Sequence, residues 1–251
     1  MASIRFFDAH FHVSRRGKEG EDRLSAGALL DAGRIDGVNL ILARPGHAEA
    51  ETANAEAFAL KGKYGKHVQL AYWTDPTEED ALGKTKRFLD AHPQVGGIKI
   101  HPAGLGIPIT EENFGATLDL ALERDLYVIT HTQPTPGHSA ICFHALLKER
   151  PDLRFIVGHG STIEEAMFMA ARYKHCYVEP SWLGFFSPLF EMAERLGGYD
   201  KIMAGTDGPG WFERFDGDPF EDVIQRVRGY LPTMQQVRMF CYDNAAQFFR
   251  L

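Results

Sequence analysis

Phe7-Asp8-Ala9-His10-Phe11-His12 lies within Ser3 to Val13, where Ile4, Phe6, Phe7, Phe11 and Val13 favour an extended, buried backbone. Side chains repeat every two residues along a strand, which predicts Asp8, His10 and His12 on one face. Two imidazoles on neighbouring same-face positions stand about 6–7 Å apart along the backbone, and converging rotamers bring both to one metal ion. The alternative is a pair of core histidines with an aspartate beside them. A short His-x-His stretch does not decide between these readings. The ends of the later strands do.

Outward from this strand, strand-like and helix-like segments alternate to the end of the chain. Gly37 to Ala43, Val68 to Trp73, Val95 to Ile100 and Leu126 to His131 read as strands, as do Leu153 to Val157, Cys176 to Pro180 and Lys201 to Asp207. Thr110-Glu111-Glu112 caps one of the intervening helices, with acids favourably placed in its first turn. Further helices are expected over His138 to Glu149, Pro219 to Arg228 and Pro232 to Phe249. Eight strands alternating with helices in about 250 residues predict a (β/α)8 TIM barrel, a single domain over residues 1–251. A doubly wound open sheet is the rival, but no Gly-rich phosphate loop follows an early strand. The long irregular stretches, Val13 to Ser25, Pro102 to Thr110 and Gly208 to Asp218, each follow a strand, where an active-site loop belongs.

In such a barrel the site lies at the C-terminal ends of the strands. Strand one ends in His10 and His12, strand four in Lys99, strand five in His131, strand six in His159 and strand eight in Asp207. Neutral imidazole and carboxylate are the ligand types that zinc and other first-row metals prefer. Several strands thus deliver metal-binding groups to one place.

This pattern resembles the amidohydrolase superfamily along nearly the whole chain, and within it the amidohydrolase-2 family, relatives of aminocarboxymuconate-semialdehyde decarboxylase. Gly97-Ile98-Lys99-Ile100-His101-Pro102, Phe155-Ile156-Val157-Gly158-His159-Gly160-Ser161 and Asn244-Ala245-Ala246-Gln247-Phe248-Phe249 support the likeness. The resemblance implies a divalent metal, zinc or manganese, held as one ion by His10, His12, His131 and Asp207. It leaves His159 as an acid or base beside Asp207 as proton acceptor, and a small carbonyl compound (a lactone, amide or ester) as the hydrolysed substrate. Non-oxidative decarboxylation of an unsaturated or aromatic acid is the alternative. A TatD-type nuclease has the same barrel but a glutamate where Lys99 stands.

Lys99 admits three readings: a carbamylated bridge between two metals, as in two-metal members of the superfamily; a cation for a substrate carboxylate; or an ion pair with Asp8 or Glu179. His101, two residues on, points either at substrate or against Pro102. Arg44, after strand two, is either a clamp for an anionic substrate group or a surface arginine, and Glu179, ending strand seven, contacts substrate or orders the residues behind the site. Trp73, Trp182 and Trp211 stand at or after strand ends. His47, His67, His92, His138, His144 and His175 fall off the pattern.

A net charge of −7 with no basic stripe argues against nucleic acid as a partner. No apolar run approaches the roughly 20 residues that span a bilayer. Met1-Ala2-Ser3-Ile4-Arg5 lacks signal-peptide character, and the three scattered cysteines fit reduced thiols, so a cytoplasmic protein is expected. Phe185-Phe186 and Phe248-Phe249 are candidates for a homodimer contact or a core.

Overall fold

The computed structural model describes residues 4–13, 25–46, 49–160, 162–181, 186–210, 212 and 218–251. Seven strands form one parallel sheet in sequence order: β1 (Phe7–His12), β2 (Gly37–Ile41), β3 (Val68–Trp73), β4 (Gly97–Ile100), β5 (Tyr127–His131), β6 (Arg154–Gly158) and β7 (Cys176–Glu179). The intervening helices begin with α1 (Ala26–Asp31), α2 (Ala50–Tyr64), α3 (Ala81–Ala91) and α4 (Pro102–Leu105). They continue with α5 (Glu111–Glu123), α6 (His144–Lys148), α7 (Ile163–Arg172) and α8 (Phe186–Leu196). After them come α9 (Pro219–Tyr230), α10 (Met234–Arg238) and α11 (Asn244–Phe249). Thr110 caps α5 as the sequence predicts, its hydroxyl accepting from the Asn113 N–H at 3.2 Å. Among the described residues no helix is long and apolar enough to cross a membrane.

The fold is a (β/α)8 barrel, but the expected eighth strand is not a regular one. Residues 202–208 touch β7 and β1 through single bridges, Val178 to Ile202 and Phe11 to Gly208. Met203 N–H donates to Val178 O at 2.9 Å, and on the other side Ala9 N–H donates to Ala204 O at 2.9 Å. Asp207 N–H donates to His10 O at 2.8 Å, and His12 N–H to Gly208 O at 2.7 Å. The segment closes the barrel as an irregular seam. The cause is local: the buried Asp8 carboxylate takes the Thr206 N–H at 3.0 Å and the Thr206 hydroxyl, and Asp207 turns into the left-handed region at φ 56°.

β1 departs from strict alternation as well. Phe7 and Ala9 pack inside the barrel, whereas Phe11 packs in the outer layer with Phe6. The register of β1 against β2 shifts between Asp8 and Phe11, as a bulge requires. Asp8 therefore serves the seam rather than sharing a face with His10 and His12.

Two further elements correct the sequence reading. The helix expected over His138 to Glu149 is a 3-10 turn, Ala140–Phe143, followed by α6. The closing helix is interrupted by a π turn over Met239–Asp243, where the Phe240 carbonyl accepts the Ala204 N–H of the seam at 2.9 Å. Asn244 Nδ2 then donates to the carbonyls of Tyr199 and Ile202, at 2.7 and 2.8 Å. Beyond it, Phe248 and Phe249 are buried, with Phe249 stacked on Phe7 at 5.0 Å and edge-on to Tyr127 at 5.0 Å. These two phenylalanines belong to the core; Phe185 lies outside the described residues.

Candidate metal and catalytic site

Period-two alternation carries most site residues inward. On β4, Ile98 and Ile100 pack outward, so Lys99 faces the barrel axis. On β5, Tyr127 and Ile129 line the interior and His131 follows them; on β7, Tyr177 does so and Glu179 follows. His159 comes one residue too late for this rule. It reaches the site because its backbone turns left-handed, at φ 67°, directly after Gly158. A Cβ on Gly158 would lie 2.3 Å from Thr130 O, so only glycine lets β6 end there. His159 and Asp207 are thus both non-glycine residues in a conformation that costs of order 1–3 kcal/mol and recurs at functional sites.

The groups converge. Asp207 Oδ1 stands 3.0 Å from His12 Nε2 and 3.3 Å from His10 Nε2, and ligand atoms of these three residues lie within 4.8 Å of one another. Lys99 Nζ is 3.1 Å from His10 Nε2. The His159 ring centroid is 4.9 Å from that of His10 and 4.1 Å from that of His131. His131 in turn stacks on His101 at 3.9 Å, and His101 on Trp73 at 5.6 Å.

A second layer orients these rings. Glu179 Oε2 is 2.7 Å from His10 Nδ1, while its carboxylate also accepts the Ser181 N–H at 2.5 Å and the Ser181 hydroxyl at 2.9 Å. With Nδ1 held by Glu179, Nε2 is the His10 nitrogen that faces Asp207. His159 Nδ1 lies 3.3 Å from the Ser181 carbonyl and 3.0 Å from its hydroxyl. A carbonyl only accepts, so Nδ1 carries the proton and Nε2 the lone pair.

Burial and mutual charge set the protonation states. Burial holds His10 well below the usual imidazole range, with Lys99 and the neighbouring histidines adding to the effect. Burial and Lys99 bring His159 down to about 4, and burial is the main cause that brings His101 to about 3 and moves His131 down as well. These three are neutral at physiological pH. Burial lowers Lys99 to about 8 and raises Glu179 to about 8. For Asp207 burial acts upward, but the His12 hydrogen bond and the proximity of His12, His159 and Lys99 outweigh it, and the carboxyl stays below its ordinary value.

The family model described as amidohydrolase matches residues 7–251. The chain belongs to the amidohydrolase family. It is therefore an enzyme of a superfamily whose members bind divalent metals. No curated protein matches the sequence. Among solved structures, it is similar to an uncharacterized TIM-barrel protein from Bordetella bronchiseptica (13% identity, 98% of this chain and 99% of that one, TM-score 0.72). It is also similar to an amidohydrolase from Burkholderia multivorans with bound zinc (12% identity, 98% and 99%, TM-score 0.68). A third is 5-carboxyvanillate decarboxylase from Novosphingobium aromaticivorans with bound manganese (19% identity, 92% and 81%, TM-score 0.64).

In this amidohydrolase Arg44 pairs with Asp75, which also accepts the Thr77 N–H and hydroxyl. That pairing ties the end of β2 to the turn after β3, and no described contact brings Arg44 to the histidines. Lys99 pairs with neither Asp8 nor Glu179 directly; its described partner is His10. Of the histidines off the pattern, His92 packs on Phe58 and Phe88, and His144 bonds the Tyr173 hydroxyl. Trp182, Trp211 and His47 lie outside the described residues. Sequence reasoning passed over Ser181 and Thr206, which hold Glu179 and Asp8. The available signal for both was spacing, each standing next to or two residues from a buried acid at a strand end.

Proposed function

We propose that this amidohydrolase is a hydrolase of a small carbonyl compound (a lactone, amide or ester) that works with one divalent ion, zinc or manganese. The observation that carries the reading is Asp207 Oδ1 standing 3.0 and 3.3 Å from the Nε2 atoms of His12 and His10. His10, His12 and Asp207, joined by His131, would hold the ion. The donor set fits: His10 presents its Nε2 because Glu179 occupies its Nδ1, and Asp207 is ionised. When bound, a divalent cation supplies Lewis acidity and a water acidified to near-neutral pKa.

The chain's own groups then divide the proton work. Asp207 accepts the proton of the attacking water, and His159 Nε2, with its lone pair, accepts a proton or passes one to the leaving group. Ser181 holds His159 in that tautomer through its carbonyl and hydroxyl. Lys99 is a buried cation facing the site, available to a substrate carboxylate. That cation also favours the second reading, non-oxidative decarboxylation of a small unsaturated or aromatic acid. A carbamylated Lys99 would instead bring a second ion.

The test is a metal count per chain by elemental analysis of wild type and a His10→Ala/His12→Ala double variant, together with zinc-loaded turnover of lactone, ester and aromatic-acid panels. About one ion, lost in the double variant, with acyl cleavage supports the proposal. Two ions assign Lys99 as a bridge, release of carbon dioxide alone assigns decarboxylation, and no ion after zinc and manganese incubation overturns the metal reading.

A further inference from the structure

His101 and His159 are neutral histidines with opposite proton placement, each set by one backbone group. The Ser181 carbonyl fixes the proton of His159 on Nδ1. At His101 the arrangement is inverted, because the Gly104 N–H donates to Nδ1 at 2.9 Å. A backbone amide only donates, so Nδ1 must carry a lone pair and the ring proton sits on Nε2. The same bond excludes the imidazolium, which has a proton on both nitrogens.

The ring is held in place on every side. It lies between Trp73, at 5.6 Å and 22°, and His131, at 3.9 Å and 13°. Turning it would break both parallel stacks. Gly104 is required for the approach, since a Cβ there would stand 2.8 Å from Nδ1 and 2.9 Å from Cε1. Pro102 starts the short turn that brings Gly104 back over the ring. Among the described residues no group takes Nε2, and the side chain is half-buried in the barrel mouth rather than sealed in the core.

We propose that His101 presents its Nε2–H as a fixed hydrogen-bond donor to a carbonyl or carboxylate oxygen of the substrate. The assignment rests on the reading of the histidine cluster as the active site. It makes His101 an electrophilic partner for substrate oxygen, a role His159 cannot take because its Nε2 is an acceptor. A donor fixed before substrate arrives needs no reorganisation, which is the property that makes such groups effective on developing negative charge.

The first measurement is nitrogen NMR of zinc-loaded, 15N-histidine-labelled protein, with the His101 signals identified by their loss in His101→Gln. A protonated Nε2 and bare Nδ1 are expected at neutral pH; the reverse tautomer overturns the proposal. The second is benzoate binding by calorimetry to zinc-loaded wild type, His101→Leu and His101→Gln, with zinc content measured for each. Leucine should weaken benzoate about tenfold, as loss of one hydrogen bond implies, whereas glutamine, which keeps a donor at the same reach, should stay within about threefold. Zinc should remain at the wild-type level in both. Equal affinity of wild type and the leucine variant, or no benzoate binding by wild type, overturns the proposal. Benzoate binding through His101 in a protein that cleaves no ester or lactone would overturn the hydrolase reading and leave the donor role standing.

Discussion

Asp8 and Thr206 stand 198 positions apart in the chain, yet the Asp8 carboxylate accepts both the backbone N–H and the hydroxyl of Thr206. It also accepts the His10 N–H at 3.1 Å. Asp8 is fully buried, and burial raises its carboxyl to about 7 against these stabilising bonds. Removing it leaves buried donors without a partner, at about 1–3 kcal/mol each. Even at the low end, roughly 3 kcal/mol for the three donors, Asp8→Ala should lower the Tm by about 6–12 °C at this chain length, read by calorimetry. An unchanged melt would show that the four backbone bonds of the seam suffice.

In the proposed site Glu179 would act on the metal through His10, whose Nδ1 it holds at 2.7 Å. Losing such a partner typically costs about 10- to 100-fold in metal affinity. Glu179→Gln should show that loss in a competitive zinc titration while the fold, followed by circular dichroism, is retained. Affinity equal to wild type would mean that the His10 orientation is set by Ser181 and packing alone.

The same residue predicts a pH dependence in the metal-free protein. Burial raises the Glu179 carboxyl to about 8 from 4.5, so between these values the folded state binds more protons than the unfolded one. Stability contributed by the protonated carboxyl is full below about 4.5 and is lost as pH rises through about 8. Glutamine does not titrate. The Tm of Glu179→Gln should gain on wild type by several degrees between pH 5 and pH 8; a constant gap would refute the shift.

His159 is assigned to proton transfer, a contribution of about 10²–10⁴ in rate. His159→Gln should lower kcat by that factor on whichever acyl substrate is found, with KM within about threefold and zinc retained. A proportional loss of zinc would instead make His159 a ligand.

Phe249 fills the floor of the barrel against Phe7 and Tyr127. Truncating a buried phenylalanine costs about 3–5 kcal/mol. Phe249→Ala should reduce the denaturation midpoint accordingly and leave the sedimentation coefficient of the folded protein unchanged. A change of oligomeric state with little loss of stability would return Phe248-Phe249 to an interface role.

Periodicity in the sequence was sufficient to place seven strands, because parallel strands buried on both faces carry continuous apolar runs bounded by turns. It also placed Lys99, His131 and Glu179 on the inner face, where alternation is uninterrupted. It failed at β1 and at residues 202–208. At β1 the register shifts and at Asp207 the backbone leaves the β region, while side chains such as Asp8 replace ladder hydrogen bonds with contacts nearly two hundred residues distant. No local pattern reports such a contact. Ser181 and Gly104 were passed over for a related reason: their effect is on the tautomer of another residue. The π turn was hidden because it depends on where one carbonyl, that of Phe240, finds its donor.

The irregular seam has a consequence for how the protein is made. Synthesis proceeds from the N-terminus, so strands β1 to β7 leave the ribosome in the order in which they pair, each beside the one before. Until residues 202–208 emerge, the growing sheet has two open edges, and a nascent chain holding His10 and His12 lacks Asp207. Capture of the proposed ion by this trio would therefore be a late event, coupled to the same step that removes the exposed edges and ends the period in which the chain is open to mispairing.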